Sequence, residues 1–151
     1  MAGIDISGYG TVVTLRATKT FPIGVPLTHW ADDADPIDMP VLQIADAAMG
    51  ANGDMLKWSK ANVVKLAISV APNSVDDILL GILLQANRVG QGKLSARDSI
   101  QLTIVYPNFS VITFSDGIIL DGMPGNSIAS SGRLKTKTYN FAFAGYVEVG
   151  V

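Results

Sequence analysis

Strand-type alternation of apolar and polar residues recurs along this chain of 151 residues, whereas a helical period occurs once. The clearest alternation spans residues 62–71, and one face of that segment carries Val64, Leu66, Ile68 and Val70. Similar segments span residues 9–17, 41–48, 55–59, 99–106, 109–120 and 133–146. This pattern predicts a mainly β (α+β) fold, an antiparallel β-sandwich or barrel with one packed α-helix, in a single domain over residues 1–151.

The single helical period follows Ser74, a favourable N-cap residue, and ends near Gly90, which fits a left-handed position after the helix. The apolar stripe predicted to face the core consists of Val75, Ile78, Leu79, Ile82, Leu83 and Ala86. A second apolar row, Leu80 and Leu84, lies beside that stripe. We expect this second row to contact another surface.

Two segments are candidates for long loops. Residues 21–40 contain four prolines and four aspartates, which disfavours both a helix and a central strand. Residues 49–54 form the glycine-containing tip of a predicted hairpin between residues 41–48 and 55–59. Long loops inside compact domains are usually functional, so both segments are candidates for contacts with partners.

Charged residues make up only 16% of the chain, against roughly 25% in a typical globular protein, while 48% are hydrophobic. The longest unbroken apolar run covers the seven residues 78–84, far below the roughly 20 needed to span a bilayer. We therefore expect no membrane insertion, and the first residues show no secretory signal. A monomer of such an apolar, charge-poor chain would expose large apolar patches to water. This composition therefore predicts assembly with other subunits.

The composition also excludes several kinds of chemistry. The chain has no cysteine and one histidine, which rules out thiolate metal sites, disulfides and a cysteine nucleophile. The net charge is −2, so the chain has no excess of basic residues with which to bind the phosphates of nucleic acid. His29 and the nearby aspartates could form an acid–base or cation site, but no nucleophile motif or calcium-loop pattern accompanies them. We expect no catalytic residue, no metal and no cofactor.

The last predicted strand is basic in its first half and aromatic in its second. One face of this strand runs through Arg133, Lys135, Lys137, Tyr139, Phe141 and Phe143. We expect the aromatic half to be buried and the basic half to lie at a rim. We expect residues 32–38 of an adjacent subunit to supply the opposite charge for that rim.

Several stretches in order along the chain resemble a family of tail structural proteins of contractile-tailed bacteriophages. They are residues 20–24 (TFPIG), 30–36 (WADDADP), 49–54 (MGANGD), 87–93 (NRVGQGK), 121–127 (DGMPGNS) and 132–143 (GRLKTKTYNFAF). Within that family, the size and the single mid-chain helix are similar to the tail tube protein. The tubes of type VI secretion systems and pyocins share its fold.

The resemblance implies a homohexameric ring, stacked many times into a hollow tube inside a contractile sheath, through which the genome passes. It implies contacts with the tail sheath, baseplate and tail terminator proteins, and DNA that passes through the lumen non-specifically. It also implies a location in the virion tail after assembly in the host cytoplasm. Two alternatives stay open: a ring-forming tail terminator or connector protein, and a small-ligand-binding β-barrel.

Two sets of residues are assigned to assembly. Ring stacking is assigned to His29, Trp30, Asp32, Asp33, Asp35, Asp38, Asn52 and Asp54. Lateral contacts between subunits are assigned to Leu80, Leu84, Arg133, Lys135 and Lys137. A ring needs two different and complementary surfaces on each subunit, and these sets are meant to supply them.

Overall fold

A computed structural model describes Gly3 and residues 6–150 of the chain. The strands are β1 (Val12–Ala17), β2 (Phe21–Leu27), β3 (Ile37–Asp38), β4 (Ala45–Met49), β5 (Met55–Ser59), β6 (Val64–Val70), β7 (Ile100–Val105), β8 (Val111–Asp121) and β9 (Lys137–Val149). The helix α1 (Val75–Asn87) lies between β6 and β7. The predicted mainly β fold with one helix is confirmed.

Seven strands form one antiparallel sheet in the order β2-β1-β7-β8-β9-β6-β3, and β4 and β5 form a separate two-stranded sheet. The large sheet is not closed. Its two edges are nevertheless tied together, because the segment after β2 pairs with the end of β6. The Ala71 N–H donates to the His29 carbonyl at 3.1 Å, and the Ala31 N–H donates to the Ser69 carbonyl at 3.2 Å.

Alternate residues of the large sheet build one hydrophobic core. In β6 the predicted inward face is confirmed, with Leu66, Ile68 and Val70 at most 1% exposed. The largest buried side chains are Tyr139, Phe114, Phe141 and Phe143. Together with leucines and isoleucines of β1, β7 and α1, these aromatic rings fill the space between sheet and helix.

The prediction of a loop over residues 21–40 is wrong for two of its parts. Residues 21–27 form β2, which pairs with β1 in a register that places Pro26 opposite Thr14. Residues 37–38 form β3. Proline is compatible with β2 because this strand lies at the edge of the sheet, where one side of its backbone needs no partner.

The helix begins as predicted, with the Ser74 Oγ accepting a hydrogen bond from the Asp77 N–H at 3.2 Å. Its end differs, because Arg88 is the C-cap in an extended conformation and no left-handed glycine follows directly. Lys93 Nζ instead donates to the carbonyls of Gln85 and Arg88. A basic side chain thus caps the last turn in place of the expected Gly90.

The predicted orientation of the helix is wrong for part of the stripe: Leu83 is buried as expected, but the inward face is rotated away from Val75, Ile78 and Ile82. Leu80 is fully buried and Leu84 packs against the core, whereas Val75, Ile78 and Ile82 are 58%, 58% and 49% exposed. The inward face starts at the buried Asp76 and Asp77 and ends at the half-buried Asn87. Because polar residues begin and end this face, apolar spacing alone selects the wrong side of the helix. Leu80 is a core residue and cannot provide the lateral contact assigned to it, whereas Leu84 is half-buried against the core and its lateral contact stays a prediction.

Candidate functional site

The acidic N-terminus of α1 holds the segment that follows β2. Asp76 is 1% exposed, and its Oδ2 accepts hydrogen bonds from the backbone N–H groups of Thr28 and His29, each at 2.6 Å. The ring Nδ1 of His29 lies 3.6 Å from Asp76 Oδ1. His29 is therefore anchored to the helix, and the Trp30 ring beside it packs partly against the core.

The acidic loop of residues 31–36 is tied to the segment before β9. The guanidinium of Arg133 forms two hydrogen bonds with Asp32, at 2.9 and 3.1 Å, and Thr136 Oγ1 donates to Asp33. The hydrogen bond from Arg133 lowers the pKa of the Asp32 carboxyl. Within the single subunit Arg133 therefore pairs with Asp32 of its own chain, and because both side chains are exposed, a contact of Arg133 with an adjacent subunit stays a prediction. Asp35 and Asp38 stay exposed.

Lys137 is buried rather than placed at a rim. Its Nζ lies 3.1 Å from Asp77 Oδ1, and the Tyr139 hydroxyl donates to the same oxygen at 2.9 Å. Burial of the Tyr139 hydroxyl and its hydrogen bond to Asp77 raise the pKa of Tyr139. Lys137 cannot make the lateral contact assigned to it, because its charge is balanced inside the subunit. Lys135, two residues earlier, is exposed.

Asp98 forms a polar cluster that the sequence did not indicate. Its carboxylate accepts hydrogen bonds from the Lys19 N–H at 2.7 Å, the Thr20 N–H at 3.0 Å, the Thr20 hydroxyl and the Asn87 amide at 2.9 Å. Burial by itself would raise the pKa of Asp98, but these hydrogen bonds lower it overall. The cluster joins the end of α1 to the β1–β2 turn. No local sequence motif predicts this structural role.

The residues assigned to ring stacking do not form a single cluster in the structure. His29 contacts Asp76 and Thr28, not the aspartates of the acidic loop. Among the described residues, no three His, Cys, Asp or Glu side chains are grouped to hold a metal ion. Asn52 and Asp54 lie at the hairpin tip, where Asn52 Nδ2 donates to Asp54 Oδ2 at 2.9 Å, on a sheet separate from the acidic loop.

The β4–β5 hairpin is the most exposed element of the subunit. Nine of its ten strand residues are exposed, and the large apolar ones are Met49 at 68%, Met55 at 60%, Leu56 at 57% and Trp58 at 46%. Leu56 and Trp58 lie on one face, and Met49 and Met55 lie on the other. An isolated two-stranded hairpin is marginally stable in water, and the exposed apolar side chains leave this element available for contact with another surface.

Two further apolar surfaces are exposed. One is the outer row of α1, formed by Val75, Ile78 and Ile82. The other is a groove of about 740 Å³ whose lining includes Tyr9, Trp30, Ile37, Met39 and Tyr106. Tyr9 is 93% exposed, which shows that the groove is open to solvent. No helix among the described residues is long and apolar enough to cross a membrane.

Comparison with known proteins gives a family and a fold. Residues 4–147 match the family described as tail fiber protein gp32. No curated protein matches the sequence.

The solved structures similar to this chain come from contractile injection systems. One is the sheath/tube terminator of an extracellular contractile injection system (PVC) in its extended state, with a TM-score of 0.62, 9% identity, and coverage of 99% of this chain and 100% of the other. Another is the anti-feeding prophage baseplate, with a TM-score of 0.61, 12% identity, and coverage of 100% and 99%. A third is the PVC sheath–tube complex in its extended state, with a TM-score of 0.59, 10% identity, and coverage of 97% and 93%. At such identities the similarity shows the fold.

Proposed function

The chain belongs to the tail fiber protein gp32 family, and we propose that it is the subunit of a contractile tail tube. In this proposal six copies form a ring, and the rings stack into a hollow tube. The observation that carries the proposal is the β4–β5 hairpin, whose apolar side chains are exposed on both faces. An element of this kind, repeated on every subunit, is suited to a contact with the next copy.

The fold supports a ring or tube more than a fibre. The family is described as a tail fiber protein, yet the chain is one domain without internal repeats. A fibre shaft needs a repeating element that extends along one axis. The similar structures are titled as sheath/tube terminator, baseplate and sheath–tube assemblies, and one chain in each has a fold similar to this one.

A tail terminator is the second candidate. The similar structures include a PVC sheath/tube terminator and the tube-terminating cap of the anti-feeding prophage, the latter with a TM-score of 0.54. A terminator forms a ring but does not polymerise. The ligand-binding barrel is less favoured, because aromatic rings fill the core and the 740 Å³ groove is open at the surface.

If the chain is a tube subunit, its partners are the proteins that surround and terminate a contractile tail tube. They are further copies of the chain, the surrounding sheath, and the baseplate and terminator at the two ends, with DNA passing through the lumen. The proposed location is the virion tail, assembled in the host cytoplasm. The proposed role is structural rather than enzymatic.

Electron microscopy of the purified protein tests the proposal. We expect rings that grow into tubes of uniform diameter at high protein concentration. Tubes of indefinite length support the tube subunit, single rings support the terminator, and a dispersed monomer at high concentration contradicts both.

A hairpin variant tests the element that carries the proposal. The double substitution of Leu56→Asp and Trp58→Asp places charges on one hairpin face and should prevent stacking into tubes. The matched control is Leu94→Asp, since Leu94 is 85% exposed in the loop after the helix. Tubes from the hairpin variant as long as those from the control would show that this face makes no contact.

A further inference from the structure

The register of four adjacent strands produces an outward face without charge. Cross-strand partners lie on the same side of a sheet, so each row of partners can be followed from β1 to β9. One row is Val12, Val105, Val111 and Val149, and a second row is Thr14, Thr103, Thr113 and Val147. We call these eight residues the Thr/Val face.

In β1, β7 and β8 the positions between the two rows face the core, and the fourth position, Glu148 of β9, is exposed on that same side of the sheet. Val13, Ile104 and Ile112 are at most 6% exposed, which places the Thr/Val face on the opposite side of the sheet. Arg16 is the next outward residue of β1, and its Nε donates to the Pro22 carbonyl at 2.9 Å, toward the edge strand β2. Its guanidinium is therefore tied to the edge strand next to the Thr/Val face.

The composition of this face differs from that of a protein interface. Binding hot spots are enriched in Trp, Tyr and Arg, whereas Thr and Val are under-represented. The exposed Trp58, Met49 and Met55 of this chain lie on the hairpin instead. Valine and threonine side chains also present no cation to a phosphate, and cationic contacts account for most of the non-specific affinity of proteins for DNA.

We propose that the Thr/Val face lines the channel of the ring, as a wall on which a polyanion slides without binding. This inference rests on the proposed tube function. In each subunit, strands β1, β7, β8 and β9 would turn their outward side to the axis. The hairpin and the outer row of α1 would then be left for contacts with other chains.

Single cysteines test this placement, because the chain has none of its own. Thr103→Cys places a thiol near the centre of the Thr/Val face, and Gln91→Cys places one in the exposed loop after α1. Assembled tubes are treated with a small maleimide and with a maleimide on a bulky polymer that cannot enter the tube. We expect Thr103→Cys tubes to be labelled by the small reagent and not by the bulky one, while both reagents label the Gln91→Cys tubes.

The outcomes separate this inference from the tube itself. Labelling of Thr103→Cys tubes by the bulky reagent would overturn the channel placement and leave the tube intact. Protection from both reagents would also overturn it, because the face would then be buried between subunits. Failure of the unmodified chain to form rings would overturn the proposed function and the channel with it.

Charge introduced on the face provides a second measurement. Thr103 and Thr113 are cross-strand partners, so the double substitution Thr103→Lys and Thr113→Lys places two cations side by side. Tubes of this variant should bind a short DNA duplex at low salt and release it at high salt. The control, Thr103→Gln and Thr113→Gln, should not bind DNA. Equal DNA binding by both variants, or by neither, would contradict the inference.

Discussion

Three buried or partly buried carboxylates determine how the loops of this subunit are held. Asp76 accepts two backbone N–H groups of the segment after β2, Asp77 neutralises Lys137, and Asp98 joins the β1–β2 turn to the end of the helix. A buried charge is tolerated when hydrogen bonds satisfy it, and each of these carboxylates has several. Such residues look like ordinary acidic surface positions in the sequence.

Removing Lys137 should be far more costly than removing Lys135. Lys137→Ala leaves Asp77 buried without its cation, which should lower the free energy of unfolding by about 3 kcal/mol. Lys135→Ala removes an exposed charge and should change it by less than about 0.5 kcal/mol. Urea denaturation of dilute, unassembled protein measures both. Equal effects of the two substitutions would show that the Asp77–Lys137 pair is not buried.

Asp98→Asn should destabilise the fold in a pH-dependent manner. An amide has one acceptor oxygen for the donors that the carboxylate satisfies, so the cost should be about 1–3 kcal/mol. Since the pKa of Asp98 is lowered on folding, the advantage of the native protein is complete above the ordinary aspartate pKa of about 4. It should decrease as the pH falls through the lower folded-state pKa.

Thermal unfolding from pH 7 to pH 3 measures this dependence. The exposed Asp35 supplies the control, because Asp35→Asn should have little effect on stability at any of these pH values. A constant difference between the native protein and Asp98→Asn over the whole range would contradict a role for the ionised carboxylate.

At the scale of elements, contact between α1 and the sheet depends on a glycine. A Cβ atom at Gly122 would overlap the ring of Tyr139 at Cδ1 and would lie 3.2 Å from Cδ2 of Leu84. Tyr139 is fully buried and its hydroxyl is held by Asp77. The ring therefore cannot move aside without loss of that hydrogen bond.

Gly122→Ala should destabilise the subunit by about 1–3 kcal/mol, because the added methyl group overpacks the helix–sheet contact. Gly125→Ala, in the same loop, meets nothing within 4 Å and should be close to neutral. The midpoint of thermal unfolding measures the difference. A neutral Gly122→Ala would show that the helix does not press Tyr139 against this loop.

The sequence predicts elements better than it predicts their orientation. Alternation identified the β6 face correctly, because the strand is buried on one side and its apolar residues occur at every second position. The prediction of the buried helix face was partly wrong because Asp76, Asp77 and Asn87 are polar yet face inward. Each of them forms a hydrogen bond with a residue outside the helix. The pairs Arg133–Asp32 and Lys137–Asp77 within the subunit were likewise not predicted, because their partners lie far apart in the sequence. Contacts between residues far apart in sequence leave no local pattern.

At the scale of the whole molecule, the scarcity of charge matters most. With 16% charged residues, several of them paired inside the subunit, the surface has little ionic repulsion to oppose contact between copies. The exposed hairpin and helix row are apolar. Association driven by such surfaces should depend on apolar burial rather than on ion pairs between subunits.

Assemblies of this protein should therefore persist in concentrated sodium chloride and become more stable in sulfate. Screening weakens exposed ion pairs, whereas sulfate strengthens apolar burial. Sedimentation velocity at increasing concentrations of each salt measures the fraction of protein in rings or tubes. Dissociation in sodium chloride would show that charged contacts hold the subunits together.

The two prolines of β2 limit backbone pairing at this edge of the large sheet. Both lack an N–H group, so two of the seven residues on this outer strand cannot donate to a further strand. An edge strand with fewer free N–H groups is a poorer template for the strand of another chain, which disfavours edge-to-edge aggregation. In the proposed tube, contacts between copies at this edge would therefore depend on side chains rather than on added backbone hydrogen bonds.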